Sequence, residues 1–197
     1  ILKIRGDAMQ NSVPKGEGGM VAVLGSTIEV IEKIIEDNVY KFKIQIANDN
    51  SDGQIVLSGN TIDLEKIMID LKSKNIKNMK LPVSAPFHCK LMNNATTVMK
   101  EEISKLNFNQ PKNTLISNVT GKEILDTKEL KELLVKQIES RVRWRESVLF
   151  MISKGVKHFI EIGPGKILSG LVKRIDGSVK VSAINNEEDI KLININE

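Results

Sequence analysis

An α/β fold containing a ferredoxin-like βαββαβ subdomain is what this 197-residue sequence predicts, and three observations carry the prediction. Between residues 20 and 83, segments of strand and helix character follow one another as strand, helix, strand, strand, helix, strand, which is the split βαβ pattern. From residue 88 onward, helical stretches alternate with short apolar strands, an order that argues for parallel pairing. Hydrophobic residues make up 41% of the chain and charged residues 27%, enough to bury a real core in one domain, or in one domain with a small subdomain.

The elements justify themselves in order. Ile1, Arg5, Ala8 and Met9 fall on one stripe, so residues 1–12 read as the end of a helix. Pro14, Gly16, Gly18 and Gly19 make 11–19 a loop, and 20–24 is a strand. Ser26 and Glu29 form a capping box ahead of a helix marked by Ile28, Ile31, Ile34 and Ile35. Segments 42–47 and 54–57 are strands joined through a turn-rich 48–53. A helix over 62–73 carries Leu64, Ile67, Met68 and Leu71, and a strand over 77–83 closes the unit. Pro86 suits the first turn of a helix running over 88–106. There follow a strand at 114–119, helices at 127–139 and 144–154, a strand at 157–162, a helix at 166–175 and a strand at 179–184. The polar tail 186–197 is expected to be partly disordered.

Composition narrows the function. The net charge is +4, which favours acidic partners in general, with plain solvated lysines as the alternative. Aromatic residues are only 4% and no RNA- or DNA-binding motif is present, which argues against nucleic acid. No apolar run reaches membrane length and no signal peptide is visible. The single cysteine, Cys89, excludes an internal disulfide and fits a reducing compartment. Two histidines and one cysteine leave no metal-ligand cluster.

His88 is the leading candidate for chemistry. It stands where a strand ends and a helix begins, and the positive end of that helix would favour the neutral imidazole a general base needs. An ordinary surface or core histidine is the alternative. Cys89 is its neighbour, but adjacent helical residues point about 100° apart and rarely form a catalytic pair. Arg5 could hold a carboxylate through two parallel N–H bonds, or be an exposed arginine near Asp7. Gln137 puts an amide on the apolar stripe of Leu130, Leu133, Leu134 and Ile138, so it is either hydrogen-bonded or a boundary residue at the helix end. Phe87 reads as core, and Asn48 and Asn50 as turn residues. Gly163-Pro164-Gly165-Lys166 lacks the spacing of a phosphate loop and reads as a tight turn with a lysine at a helix start. His158 reads as an outward strand residue.

Six segments in register resemble one family. They are Arg5-Gly6-x-x-Met9-Gln10, Gly18-Gly19-Met20-Val21-Ala22-Val23-Leu24-Gly25, the stretch from Ala47-Asn48-x-Asn50-Ser51 to Ser58-Gly59, Asn118-Val119-Thr120-Gly121, Val142-Arg143-Trp144-x-Glu146-Ser147-Val148, and Glu161-Ile162-Gly163-Pro164-Gly165-Lys166. With Pro86-Phe87-His88 they resemble the malonyl-CoA:acyl carrier protein transacylases of fatty acid synthesis over nearly the whole chain. The resemblance implies an α/β hydrolase-like body, of which 1–17 and 84–197 are portions, with 18–83 inserted as the small subdomain. It also implies His88 as base, the Gln137 backbone carbonyl orienting it, and Arg5 holding the malonyl carboxylate. Met9, Phe87, Asn48 and Asn50 would border the substrate, the Phe87 ring leaving no room for a branched acyl unit. Malonyl-CoA and acyl carrier protein are the implied partners, with no cofactor or metal. The implied setting is cytoplasmic, or organellar if a targeting segment precedes Ile1.

One departure stands out. The family's nucleophile is a serine in a G-x-S-x-G elbow, and this sequence has none. The expectation is that the elbow segment lies outside these residues and that they are inactive alone. An acyltransferase domain of a polyketide synthase, a non-catalytic carrier-protein-binding module and an inactive remnant are the alternatives. Lys72, Lys74, Lys77 and Lys80 cluster at the end of the second small-subdomain helix and are the expected docking surface for an acidic carrier.

Overall fold

The computed structural model describes residues 1–36, 40 and 43–192. The chain packs as two compact units, Ile1–Ser147 and Val148–Glu197.

The first unit opens with α1 (Leu2–Gln10) and then builds β1 (Gly18–Leu24), α2 (Ile28–Glu36), β2 (Ile44–Ser51), β3 (Gln54–Asn60), α3 (Thr61–Ser73) and β4 (Lys77–Lys80). The four strands form one antiparallel sheet in the order β2-β3-β1-β4, the ferredoxin-like arrangement that the alternation of segments predicts. Val21, Val23, Ile55 and Leu57 from the strands meet Ile31, Ile34 and Ile35 of α2 and Leu64, Ile67 and Leu71 of α3 in a shared core. Met20, Ala47 and Val56 pack instead against Leu81 and Phe87. The central strand β1 is therefore buried along almost its whole length. At Gly18 a Cβ would collide with the Pro86 ring, so the strand start and the segment leading to His88 pack without a spare atom.

A 3-10 turn, Lys90–Met92, leads into α4 (Asn93–Ser104), and α5 (Thr127–Lys136) follows. Met9 of α1, Met92, Ala95, Met99 and Ile103 around α4, and Ile138 beyond α5 form the second core of this unit. Asp126 caps α5 by accepting from the Glu129 N–H at 2.8 Å. The next helix, α6 (Trp144–Ser153), begins in the first unit and ends in the second.

The second unit holds β5 (His158–Ile162), α7 (Ile167–Ile175), β6 (Lys180–Ile184) and α8 (Glu187–Leu192), with β5 and β6 paired in parallel. Gly163 (φ +140°) and Gly165 (φ +94°) form the turn after β5, and Lys166 precedes α7. His158 lies 2.9 Å from the Ser182 hydroxyl of the neighbouring strand.

Several boundaries differ from the sequence expectation, each for a local reason. Strand character at 48–51 continues β2, and the hairpin turns only at Asp52-Gly53, where Gly53 has φ +71°. The Phe42 end of the expected strand 42–47 lies outside the described residues. The strand expected over 77–83 stops at Lys80, because the Leu81 N–H bond to the Met20 carbonyl is followed by Pro82, which has no N–H. Residues 114–119 make only an isolated bridge, Ile116 to Glu123, because the chain reverses within 117–122. The first α2 bond accepted outside the helix runs from Ile31 N–H to the Thr27 carbonyl, which makes Thr27, not Ser26, the cap residue. The helix expected from 88 begins as a 3-10 turn at Lys90 and becomes α-helical at Asn93, so Pro86 does not lie in its first turn. Asn186 caps α8 within the tail read as disordered, while 193–197 lie outside the described residues.

Candidate active site

His88 occupies the irregular stretch between β4 and the 3-10 turn, with φ +59°. That left-handed conformation costs a residue with a Cβ about 1–2 kcal/mol, and it persists only where the surroundings over-determine it. Ala85 and Cys89 are buried on either side. The Cys89 thiol donates to the Pro86 carbonyl at 3.1 Å, and the Phe87 N–H donates to the Ala85 carbonyl at 3.1 Å.

The His88 Nδ1 atom lies 2.9 Å from the Gln137 carbonyl oxygen. A carbonyl only accepts, so Nδ1 carries the proton and Nε2 keeps its lone pair. The Gln137 carbonyl is available because Gln137 caps the C-terminus of α5, where the last carbonyls have no helical partner. Burial holds the His88 pKa below the ordinary histidine value, and the positive charge of Arg5 pushes the same way against the carbonyl. The expected cause, a helix N-terminus at His88, is not what the structure provides; desolvation comes first. The outcome is an imidazole that is neutral near pH 7, braced at one nitrogen and open at the other.

A cleft of about 470 Å³ opens beside His88. Its lining includes Glu32, Gln45, Ile46, Val119, Arg141 and Arg143. Arg141 donates to Glu32 at 2.8 Å and Arg143 to Glu146 at 2.7 Å, so both guanidiniums are already paired. Arg5 differs. It is half-buried on α1, desolvation pulls its pKa below the ordinary arginine value, and no acid pairs with it among the described residues. A partly desolvated cation with its donors free is built to accept an anion. The neighbouring Asp7 does not pair with it.

The other expected site residues fall in different places. Met9 is buried in the α1–α4 core. Phe87, half-buried, touches both that core and the Met20–Ala47–Val56 cluster, so it ties the sheet to the histidine segment. Asn48 and Asn50 are half-buried in β2, where a register shift separates Ile46 from Asn48, and neither lines the cleft. Lys72, Lys74, Lys77 and Lys80 are all exposed. Among the described residues, no three His, Cys, Asp or Glu side chains converge as metal ligands, and no helix is long and apolar enough to cross a membrane.

Sequence reasoning missed two features. Asp49, between the two asparagines, is buried and receives the Arg145 guanidinium through Nε at 3.0 Å and 3.1 Å and through Nη2 at 2.9 Å. Backbone bonds join the same two segments, Val142 N–H to Ala47 O at 2.7 Å and Asp49 N–H to Val142 O at 2.9 Å. A carboxylate among polar neighbours gives no sequence signal of burial. The second feature is Gln45, whose side-chain oxygen accepts the Lys90 N–H at 2.6 Å; strand alternation gave the only hint that it points away from the Ile44 face.

Residues 2–188 match the family model described as acyl transferase domain. The chain is 37% identical over 186 residues to the malonyl CoA-acyl carrier protein transacylase of Salmonella typhimurium, covering 94% of this chain and 60% of that protein. It is 38% identical over 194 residues to the Bacillus subtilis protein of the same name, covering 97% and 61%. The crystal structure of malonyl CoA-acyl carrier protein transacylase from Clostridium perfringens superposes with a TM-score of 0.93 at 41% identity, covering 97% of this chain and 60% of that one. The chain thus spans about 60% of the length of the curated relatives it matches.

Proposed function

Because the chain belongs to the acyl transferase domain family, we propose that it serves a serine acyltransferase that moves the malonyl group from malonyl-CoA to the phosphopantetheine thiol of an acyl carrier protein, in fatty acid biosynthesis. The observation that carries the reading is the His88 brace, with Nδ1 on the Gln137 carbonyl and Nε2 open, together with the unpaired Arg5 whose charge His88 feels.

The proposed reaction runs in two matched halves. His88 Nε2 takes the proton of a serine hydroxyl as that oxygen attacks the malonyl thioester, and CoA departs as the thiol carrying the same proton. The carrier thiol then gives its proton to His88 while attacking the malonyl-serine ester, and the serine oxygen leaves with it. Through both halves the Arg5 guanidinium holds the malonyl carboxylate, a group acetyl-CoA lacks. Phe87 shapes the acyl side with Met9 packed behind it in the core, while Asn48 and Asn50, outside the cleft beside His88, are assigned to the approach of the pantetheine arm beyond it.

These 197 residues carry no G-x-S-x-G elbow, so the proposed reaction needs a serine that they do not present in that motif. We assign 18–83 as the inserted small subdomain and 1–17 with 84–197 as portions of the hydrolase-like body. A cytoplasmic setting fits the single buried thiol. The decisive test is His88→Ala in the complete protein. Malonyl transfer should fall roughly 100- to 10,000-fold, the usual worth of a general base, with the fold retained, and near-normal turnover would remove His88 from the mechanism.

A further inference from the structure

We propose that Gln45 is a positioning residue for His88: by accepting the Lys90 N–H, its side chain fixes the chain just past the histidine and so holds the imidazole against the Gln137 carbonyl. The proposal rests on the reading of His88 as the base only for its catalytic meaning; the positioning itself is a property of this chain.

The argument starts from an unfavourable backbone. His88 is at φ +59° and Cys89 returns to extended geometry at φ −141°, ψ 173°. A chain forced through such a reversal relaxes unless it is held on both sides. Upstream, the segment is held by the Phe87 N–H bond to Ala85 and by burial of Ala85. Downstream, Lys90 opens a 3-10 turn, whose first N–H groups have no partner within the turn. Gln45 supplies that partner at 2.6 Å.

Gln45 is itself firmly placed. It lies on β2 between Ile44, which is buried, and Ile46, and it pairs in register with Ser58 of β3. Further along β2, Val142 and Arg145 attach to Ala47 and Asp49, so this one strand steadies both the segment after His88 and the segment after Gln137. The two partners of the His88 hydrogen bond are thereby referred to a common support. Charged groups around the imidazole are Arg5, Glu32, Glu36, Glu139, Arg141 and Arg143.

The test reads the imidazole directly. The chain has only two histidines, so nitrogen-resolved NMR of ring-labelled protein gives one signal pair for His88 and one for His158, the latter an internal control. The unmodified protein should show His88 as the Nδ1–H tautomer with a midpoint below the ordinary value. Gln45→Met keeps the length and removes the acceptor, and should shift His88 toward the Nε2–H form that free imidazole prefers, with its midpoint falling further below the ordinary value as the bond to the carbonyl, which raises it, is lost. Gln45→Glu keeps an acceptor and should retain Nδ1–H. Should Gln45→Met fail to fold, Lys90→Pro removes the donor instead; Cys89 already has the extended geometry a residue before proline requires. Loss of the Nδ1–H form in either variant with His158 unmoved upholds the proposal. A lower melting temperature with the Nδ1–H form intact overturns it, because Gln45 would then be structural only. Transfer activity of the complete protein is a separate measurement, so failure of the base assignment and failure of the positioning role give different results.

Discussion

Replacing Arg145 by methionine should destabilise the first unit strongly. Asp49 is 1% exposed and Arg145 21% exposed, and both carboxylate oxygens lie within hydrogen-bond reach of the guanidinium. Opposite charges about 4 Å apart in a partly buried site attract by about 4 kcal/mol. Removing one member of a buried pair costs about 3–5 kcal/mol, because the remaining charge stays uncompensated. The two figures agree, and a loss of about 4 kcal/mol is expected. Arg145→Lys keeps the charge but cannot reach both oxygens in parallel, so about 1–2 kcal/mol should go. Adding Asp49→Asn to Arg145→Met removes the stranded charge and should recover at least half of the loss, the coupling a double-mutant cycle measures. Urea unfolding is the assay. The sole tryptophan, Trp144, adjoins Arg145 in sequence and reports locally, while far-UV circular dichroism reports on the whole chain. With a slope of about 2 kcal/mol/M, the midpoint should fall by about 2 M. If the methionine and lysine variants both shift the midpoint by less than about 0.5 M, the ion pair does not hold β2 to the Val142 segment, and the reasoning fails.

Three further outcomes follow from the site. Arg5→Ala in the complete protein should lower kcat/KM for malonyl-CoA roughly ten- to a hundredfold, the worth of about 1.5–3 kcal/mol of charge-assisted hydrogen bonding, and leave acetyl-CoA little changed; an equal fall for both substrates makes Arg5 structural. Since burial lowers the folded-state pKa of His88, the unfolded chain binds more protons below about pH 6.5. Stability is therefore fully present above that pH and lost as pH falls toward the folded-state value; His88→Gln should flatten this stretch of the stability curve, and an unchanged slope would show that His88 is not held neutral. Reversing Lys77 and Lys80 to Glu, on the exposed edge strand β4, should raise KM for the carrier protein and flatten its salt dependence while KM for malonyl-CoA moves less; unchanged carrier kinetics at low salt would place docking elsewhere.

The βαββαβ order was legible because isoleucine, leucine and valine spacing alone separates helix from strand where one face is buried. Ile31, Ile34 and Ile35 are an example, and all three are core. Asn48 to Ser51 was misread as a turn because asparagine's local preference points that way, whereas pairing with Val56 and Val142 makes it strand. Tertiary contacts overrode propensity there. The histidine was found from its neighbours, but its left-handed backbone was invisible, since nothing in Pro86-Phe87-His88-Cys89 separates a helix start from a reversal. Gln137 was identified by its place on the Leu130–Ile138 stripe and by the resemblance, yet the atom that matters is a main-chain carbonyl, to which side-chain identity is indifferent. Asp49 and Gln45 were missed for a related reason: their partners, Arg145 and Lys90, are distant in sequence.

Cys89 gives the molecule a built-in clock. It is the one thiol of the chain, it is 1% exposed, and burial pushes its pKa up, so a thiol reagent finds almost no thiolate while the segment is closed. Labelling must wait for the stretch from Ala85 to Met92 to open. When reclosing outpaces the reagent, the labelling rate equals the opening equilibrium multiplied by the rate for a free thiol. An ordinary colorimetric trace thus becomes a free energy for the loop that carries His88, with no label introduced and no second cysteine to confuse it. Ligands that tighten the cleft should slow the clock, and they would do so in a chain that performs no catalysis at all.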